Sequence, residues 1–183
     1  RESVCPSEGL SLLDTLDDTT SLPGGLTGQS FNLATNDQVT AGAVFSLRAG
    51  STCANPSVSS TGVAGFDVPS PLPPGTTCTV NYQACDASLA STCDTAVLTV
   101  TPLAADMVVS VAGLPAAVRP GQVLSGLSAT CTNSSATVAA VNPTCVPALT
   151  ALPGGTALTL TGLTCSPALG ATLAPGGSTT CSF

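Results

Sequence analysis

The sequence predicts an all-β protein: two tandem immunoglobulin-like Greek-key β-sandwich modules, braced by disulfides, the second lacking its last strand. Three observations carry this expectation. Short β-rich runs recur at the spacing of a strand and a turn, punctuated by Pro74-Gly75, Pro120-Gly121, Pro153-Gly154 and Pro175-Gly176. Nine cysteines occur with no histidine and no C-x-x-C, a usage that fits disulfides and not zinc. Pro74-Gly75-Thr76-Thr77-Cys78 returns as Pro175-Gly176-Gly177-Ser178-Thr179-Thr180-Cys181, which marks an internal repeat. About twenty residues follow the first copy, including Tyr82 and a clear strand over 95–101. The second copy is followed by nothing beyond Phe183.

Residues 1–28 read as a leader. It carries half of the acid, Glu2, Glu8, Asp14, Asp17 and Asp18, and runs into the turn signal Leu22-Pro23-Gly24-Gly25. Residues 29–102 read as the first module, with strands expected at 31–35, 44–48, 77–83 and 95–101. Pro102-Leu103-Ala104-Ala105 is the expected hinge, since Thr-rich strand character stops at Pro102. Residues 103–183 read as the second module, with strands expected at 107–111, 123–131, 137–141, 157–161 and 178–183. Leu158 and Leu160 alternate with Thr159 and Thr161, the mark of a half-buried strand.

Composition excludes several functions. Charged residues are 7% of the chain, against about 25% in an ordinary soluble domain. So low a charge does little to discourage self-association. The net charge of −7, with three Arg and no Lys, excludes nucleic acid and anionic membrane surfaces as partners. No apolar run is long enough for a membrane span, and no signal peptide is visible. Without histidine neither Ser-His-Asp nor Cys-His catalysis can be built, and without lysine there is no Schiff base. One Tyr and no Trp give no platform for sugars. No catalytic residue, cofactor or metal site is expected. Asp14, Asp17 and Asp18 lack the spacing, Gly and closing Glu of an EF-hand loop.

The cysteines divide as one in the leader and four in each module. Local pairing is the economical expectation: Cys53 with Cys78, Cys85 with Cys93, Cys131 with Cys145, and Cys165 with Cys181. Four cysteines allow three pairings, so only the short Cys85–Cys93 turn is strongly favoured by spacing. Each bond is expected to stabilise by about 2.5–3.5 kcal/mol on the chain-entropy account. Cys5 is left unpaired or intermolecular. Head-to-tail crosslinking uses two cysteines per chain and leaves an odd number, so such a bond alone cannot satisfy all nine.

The leader is the candidate assembly element. Val4, Leu10, Leu12 and Leu16 would face a partner if this segment added as a strand to the open edge beside Phe183 of another copy. The competing readings are a short amphipathic helix over Leu12, Leu13 and Leu16 behind a Ser7 cap, or a disordered tail. Asn133-Ser134-Ser135 is a sequon, and Ser and Thr are plentiful, so glycan modification is a further possibility.

The run from Phe31 to Val39 (FNLATNDQV) resembles the opening strand of cadherin-like and immunoglobulin-like repeats in large bacterial surface proteins. Ala105-Asp106-Met107-Val108-Val109-Ser110, Val118-Arg119-Pro120-Gly121, Cys131-Thr132-Asn133 and Leu173-Ala174-Pro175-Gly176 resemble the conserved-repeat domains of bacterial outer-surface proteins. The resemblance implies an extracellular or cell-surface, tandem, non-enzymatic protein. Two functions follow as expectations. One is a subunit of an extracellular filament, fimbria or sheath, a homopolymer joined head-to-tail by strand addition. The other is an excerpt of a long adhesin or stalk, its missing strand and odd cysteine being cut boundaries.

Overall fold

In the computed structural model, residues 13–70, 75–89, 91–117, 119, 121–147 and 161–183 are described. Among them the chain is all-β apart from one 3-10 turn, with eleven strands in three sheets. It divides into two compact units: the first holds the residues up to Leu22 and Leu26–Pro102, the second holds Pro23–Gly25 and Leu103–Phe183.

The first unit is a two-sheet sandwich. One sheet has the order β1-β7-β6-β3, formed by β1 (Asp18–Pro23), β7 (Cys93–Leu103), β6 (Cys78–Cys85) and β3 (Val44–Leu47). The other has the order β2-β5-β4, formed by β2 (Gln29–Asn32), β5 (Val63–Asp67) and β4 (Ala54–Val58). The chain crosses between the sheets from β3 to β4, forms the β4–β5 hairpin and crosses back from β5 to β6, which is the immunoglobulin-type Greek-key arrangement. The alternation in β6 fixes its faces. Cys78, Val80, Tyr82 and Ala84 point inward, while the intervening residues lie at the half-buried outer face. Ala96, Leu98 and Val100 of β7 meet them, and Leu33, Phe45, Ala64 and Phe66 close the core. The rings of Phe45 and Tyr82 stack with centroids 6.3 Å apart.

Local chemistry explains the departures from expectation. The strand expected over 31–35 stops at Asn32, whose side chain accepts the Ala34 N–H and opens the 3-10 turn Leu33–Thr35. That turn drops Leu33 fully into the core. The β4–β5 hairpin closes at Gly62, with φ +85 and the Phe45 ring 3.2 Å from where a Cβ would stand. Strand β7 runs through Pro102 and ends at Leu103, inside the expected hinge. Strands β1, β4 and β5 of this unit, and the strand Thr164–Ser166 of the second, are not among the expected ones.

The leader boundary at residue 28 is corrected most. Asp14 exchanges backbone hydrogen bonds with Gln38, and β1 then joins the edge of the first sheet. The Thr15 N–H reaches Asp94, the Val97 N–H reaches Asp17, and the Gly24 N–H reaches the Leu103 carbonyl. Both strands advance in the same direction along these contacts, so β1 lies parallel to β7. No helix forms over 13–18.

In the second unit the described strands make one sheet, β10-β11-β9-β8. Its members are β8 (Met107–Ala112), β9 (Ser128–Asn133), β10 (Thr164–Ser166) and β11 (Ser178–Ser182). Strand β11 sits between β9 and β10 as β5 sits between β2 and β4. It follows both of its neighbours in the chain, as β5 does and as β6, which precedes β7, does not, so it matches β5 and not its repeat partner β6. Over 137–141 only the bridge Ala140–Leu173 forms, the expected strand at 123–131 begins at Ser128, and residues 157–160 lie outside the described residues.

Candidate functional site

The first candidate is an acid–tyrosine cluster where β1 enters the first unit. Tyr82 is fully buried, yet its hydroxyl lies 3.0 Å from the Leu16 carbonyl and 3.0 Å from Oδ2 of Asp18. Both carboxylate oxygens of Asp37 stand at 3.3–3.4 Å. One phenol proton faces two carboxyls and a carbonyl, so it cannot satisfy them together. Burial first, then the mutual charge of the two acids, raises the Asp18 carboxyl above its ordinary range. Burial likewise raises Asp37, partly offset by the Leu16 N–H that donates to it at 2.8 Å. The Tyr82 hydroxyl is pushed far up by burial and by both carboxylates. Asp94 is held low, chiefly by the Thr15 N–H at 2.7 Å. Asp86 is held well below the usual carboxylate range by Ser88 and Thr40, whose hydroxyls donate to it.

This cluster is a structural latch in its geometry. Asp14 uses its backbone on Gln38, Asp17 accepts from Val97, and Asp18 accepts from Tyr82. Among the described residues no group of three or more acidic or thiol side chains is arranged to hold a metal ion. Sequence reasoning missed the cluster because Asp18, Asp37 and Tyr82 are far apart in the chain. The available signal was the single tyrosine at an inward position of an alternating strand.

The cysteines assemble as four bonds. Cys53–Cys78 is buried and joins the segment before β4 to the start of β6, bracing one sheet of the first unit against the other. Cys85–Cys93 closes the β6–β7 hairpin between directly opposed residues. Cys165–Cys181 does the same across β10 and β11. Cys131–Cys145 ties β9 to the segment 143–147 that lies over its sheet. Cys5, Val4, Leu10 and Leu12 lie outside the described residues.

The two remaining assembly residues are committed within their own units. Leu16 spends its N–H on Asp37 and its carbonyl on Tyr82, although its side chain is 47% exposed. Phe183 exchanges both backbone bonds with Leu127, extending the β9–β11 ladder. The leader from Asp14 onward thus completes the sheet of its own module, and Phe183 lines no open edge. The physical reason is local: a strand held on the same chain adds to β7 without the entropy of joining two molecules.

The second unit offers the exposed surface. Met107, Val109 and Val111 stand on the face of the sheet that carries Ala129, Cys131 and Asn133. Val109 and Val111 are 62% and 52% exposed. A groove of about 280 Å³ runs between this face and the segment from Pro143 to Pro147. Asn133 follows Cys131 on the same face of β9. The side chain is fully buried, and its amide donates to the carbonyls of Val138, Leu173 and Ala174 at 2.9–3.3 Å. The sequon asparagine therefore serves as an internal staple.

No protein-family model matches the chain, and no curated protein matches it. Among solved structures, a set of extracellular cadherin domains, domains 3–6 of protocadherin gamma B2, is similar at 12% identity and a TM-score of 0.37. The match spans 67% of this chain and 30% of that one.

Proposed function

We propose that this chain is a structural, non-catalytic module of an extracellular surface assembly, in which copies associate through an exposed sheet edge. The single observation that carries the reading is the second unit's four-stranded sheet, whose strand β8 leaves valines exposed and one edge unpaired among the described residues. Four disulfides suit an oxidising compartment. The sequence holds no His and no Lys, so neither imidazole nor lysine-amine catalysis can be built from it. An apolar uncharged edge is an aggregation liability unless a partner uses it. The bacterial surface filament, fimbria or sheath implied by the resemblance of residues 31–39 and 105–110 is the finer form of this proposal. Electron microscopy of the purified oxidised protein tests it: ordered assemblies are expected, and compact monomers at every concentration would overturn it.

A second reading, a segment of a long adhesin or stalk, draws on the tandem arrangement of two units in one chain. The genomic reading frame separates the two. A continuation past Phe183 into another repeat favours the stalk, and a stop codon there favours the assembly subunit.

A further inference from the structure

The edges of the second unit's sheet are unequal. Strand β10 is three residues long and runs into Pro167, so it offers little backbone to a partner. Strand β8 offers six residues, Met-Val-Val-Ser-Val-Ala, with no charge, no proline and no irregularity in its register. In the first unit, β4 is guarded by Pro56, by a register shift and by Asn55 in a left-handed conformation. None of these devices occurs in β8.

The ladder fixes which backbone groups of β8 face outward. The Ser134 N–H donates to the Asp106 carbonyl at 2.8 Å. In an antiparallel pair the hydrogen-bonded and non-bonded positions alternate. Val108, Ser110 and Ala112 therefore turn their N–H and C=O groups toward Thr132, Thr130 and Ser128. The other edge of β9 agrees, since Leu127 and Phe183 exchange both bonds there. Met107, Val109 and Val111 are left with N–H and C=O groups directed away from the sheet. No described residue pairs with them.

We propose that β8 pairs antiparallel with β8 of a second copy, about a two-fold axis through Val109, giving one continuous sheet across both chains. The inference rests on the assembly reading above and names its surface and partner. The outward residues form a self-complementary set. Val109 meets Val109 of the other copy, and Met107 meets Val111, so every outward donor finds an acceptor. These side chains share one face, and the pairing merges two exposed valine rows into one apolar strip. Charge does not oppose it. Asp106 falls opposite Ala112 of the other copy, which sets the two Asp106 positions about 20 Å apart along the strands, beyond about two Debye lengths at physiological salt. The net charge of −7 on each copy repels at long range, so added salt strengthens the pairing.

Sedimentation velocity of the oxidised full chain, from micromolar to hundreds of micromolar, tests this with two variants. Val109→Pro removes an outward N–H and no bond to β9, and Val111→Lys places a charge on the same edge. The wild type is expected to form a reversible dimer, tighter in higher salt, and each variant to weaken it by at least about tenfold. Val111→Lys decides the matter if Val109→Pro unfolds. A wild type that associates while both folded variants associate equally overturns the β8 pairing and leaves the assembly reading standing. A wild type that remains monomeric throughout overturns the pairing, and with it the self-association on which that reading depends.

Discussion

The Tyr82 hydroxyl and the Asp18 carboxylate meet at 3.0 Å inside the first unit, joining the central strand β6 to the first residue of the edge strand β1. The contact spans 64 residues of sequence and is buried. Tyr82→Phe keeps the ring stacked on Phe45 but leaves Asp18 without its phenol donor. The variant is expected to lose about 1–3 kcal/mol, the usual cost of stranding a buried polar group. Hydrogen exchange should localise the loss to β1 and the segment from Leu16. Uniform loss of protection across the unit, or none, would contradict a latch at this position.

The same cluster sets an acid dependence. The raised Asp18 and Asp37 carboxyls bind protons more tightly folded than unfolded. They weaken the fold above their raised values, and the handicap fades as pH falls through those values toward about 4. Asp67, Asp86 and Asp94 are lowered, so each contributes stability above about pH 4 and loses it as pH falls through its own lowered value. Thermal stability is therefore expected to rise on mild acidification and to fall in strong acid. Asp37→Asn should raise the midpoint at pH 7 by a few degrees and flatten the rise above pH 4. An unchanged profile in that variant would remove the cluster from the explanation.

The disulfides should differ in weight. Cys53–Cys78 closes a separation of 25 residues and Cys85–Cys93 one of 8. On the chain-entropy account these are worth about 3.5 and 2.5 kcal/mol. Replacing Cys53 and Cys78 by Ala also removes two buried sulfurs from the core. Denaturant unfolding of the two double variants should therefore rank Cys53–Cys78 as the costlier loss. The opposite ranking would mean that loop entropy and packing are not what these bonds supply.

Asn133→Ala removes the donor shared by the carbonyls of Val138, Leu173 and Ala174. A loss of about 1–3 kcal/mol is expected in the second unit alone. Mass spectrometry of folded protein from a glycosylating host should find Asn133 unmodified, because its amide is enclosed. A glycan on that residue in folded protein would contradict the buried position.

The all-β class and the tandem arrangement were legible because turns and alternation are local signals. Pro-Gly pairs and the alternation of Val80, Tyr82 and Ala84 are visible without any partner. What escaped is which strand sits beside which. The repeat at Cys78 and Cys181 reflects a shared need for an inward cysteine preceded by two threonines, and both β6 and β11 meet it. Their neighbours differ, so sequence likeness misassigned β11. Strand β1 was hidden because Asp14, Asp17 and Asp18 read as a solvated leader. Their carboxylates and backbone are instead taken up by Val97, Tyr82 and Gln38. The Tyr82 cluster needed three distant segments at once, which no single window of sequence contains.

The parallel lie of β1 on β7 has a mechanical consequence. The described part of the chain begins at the Asp94 end of this strand pair, and β7 ends at the Leu103 end. Tension applied at those two ends pulls the two strands past each other lengthwise. The bonds between them then load together in shear, where an antiparallel terminal pair would peel apart bond by bond. Forced rupture is set by the unfolding rate and not by equilibrium stability, so this pair should hold longer under lengthwise tension than its few bonds suggest, and the Cys53–Cys78 bond limits how far the chain can extend if the pair gives way.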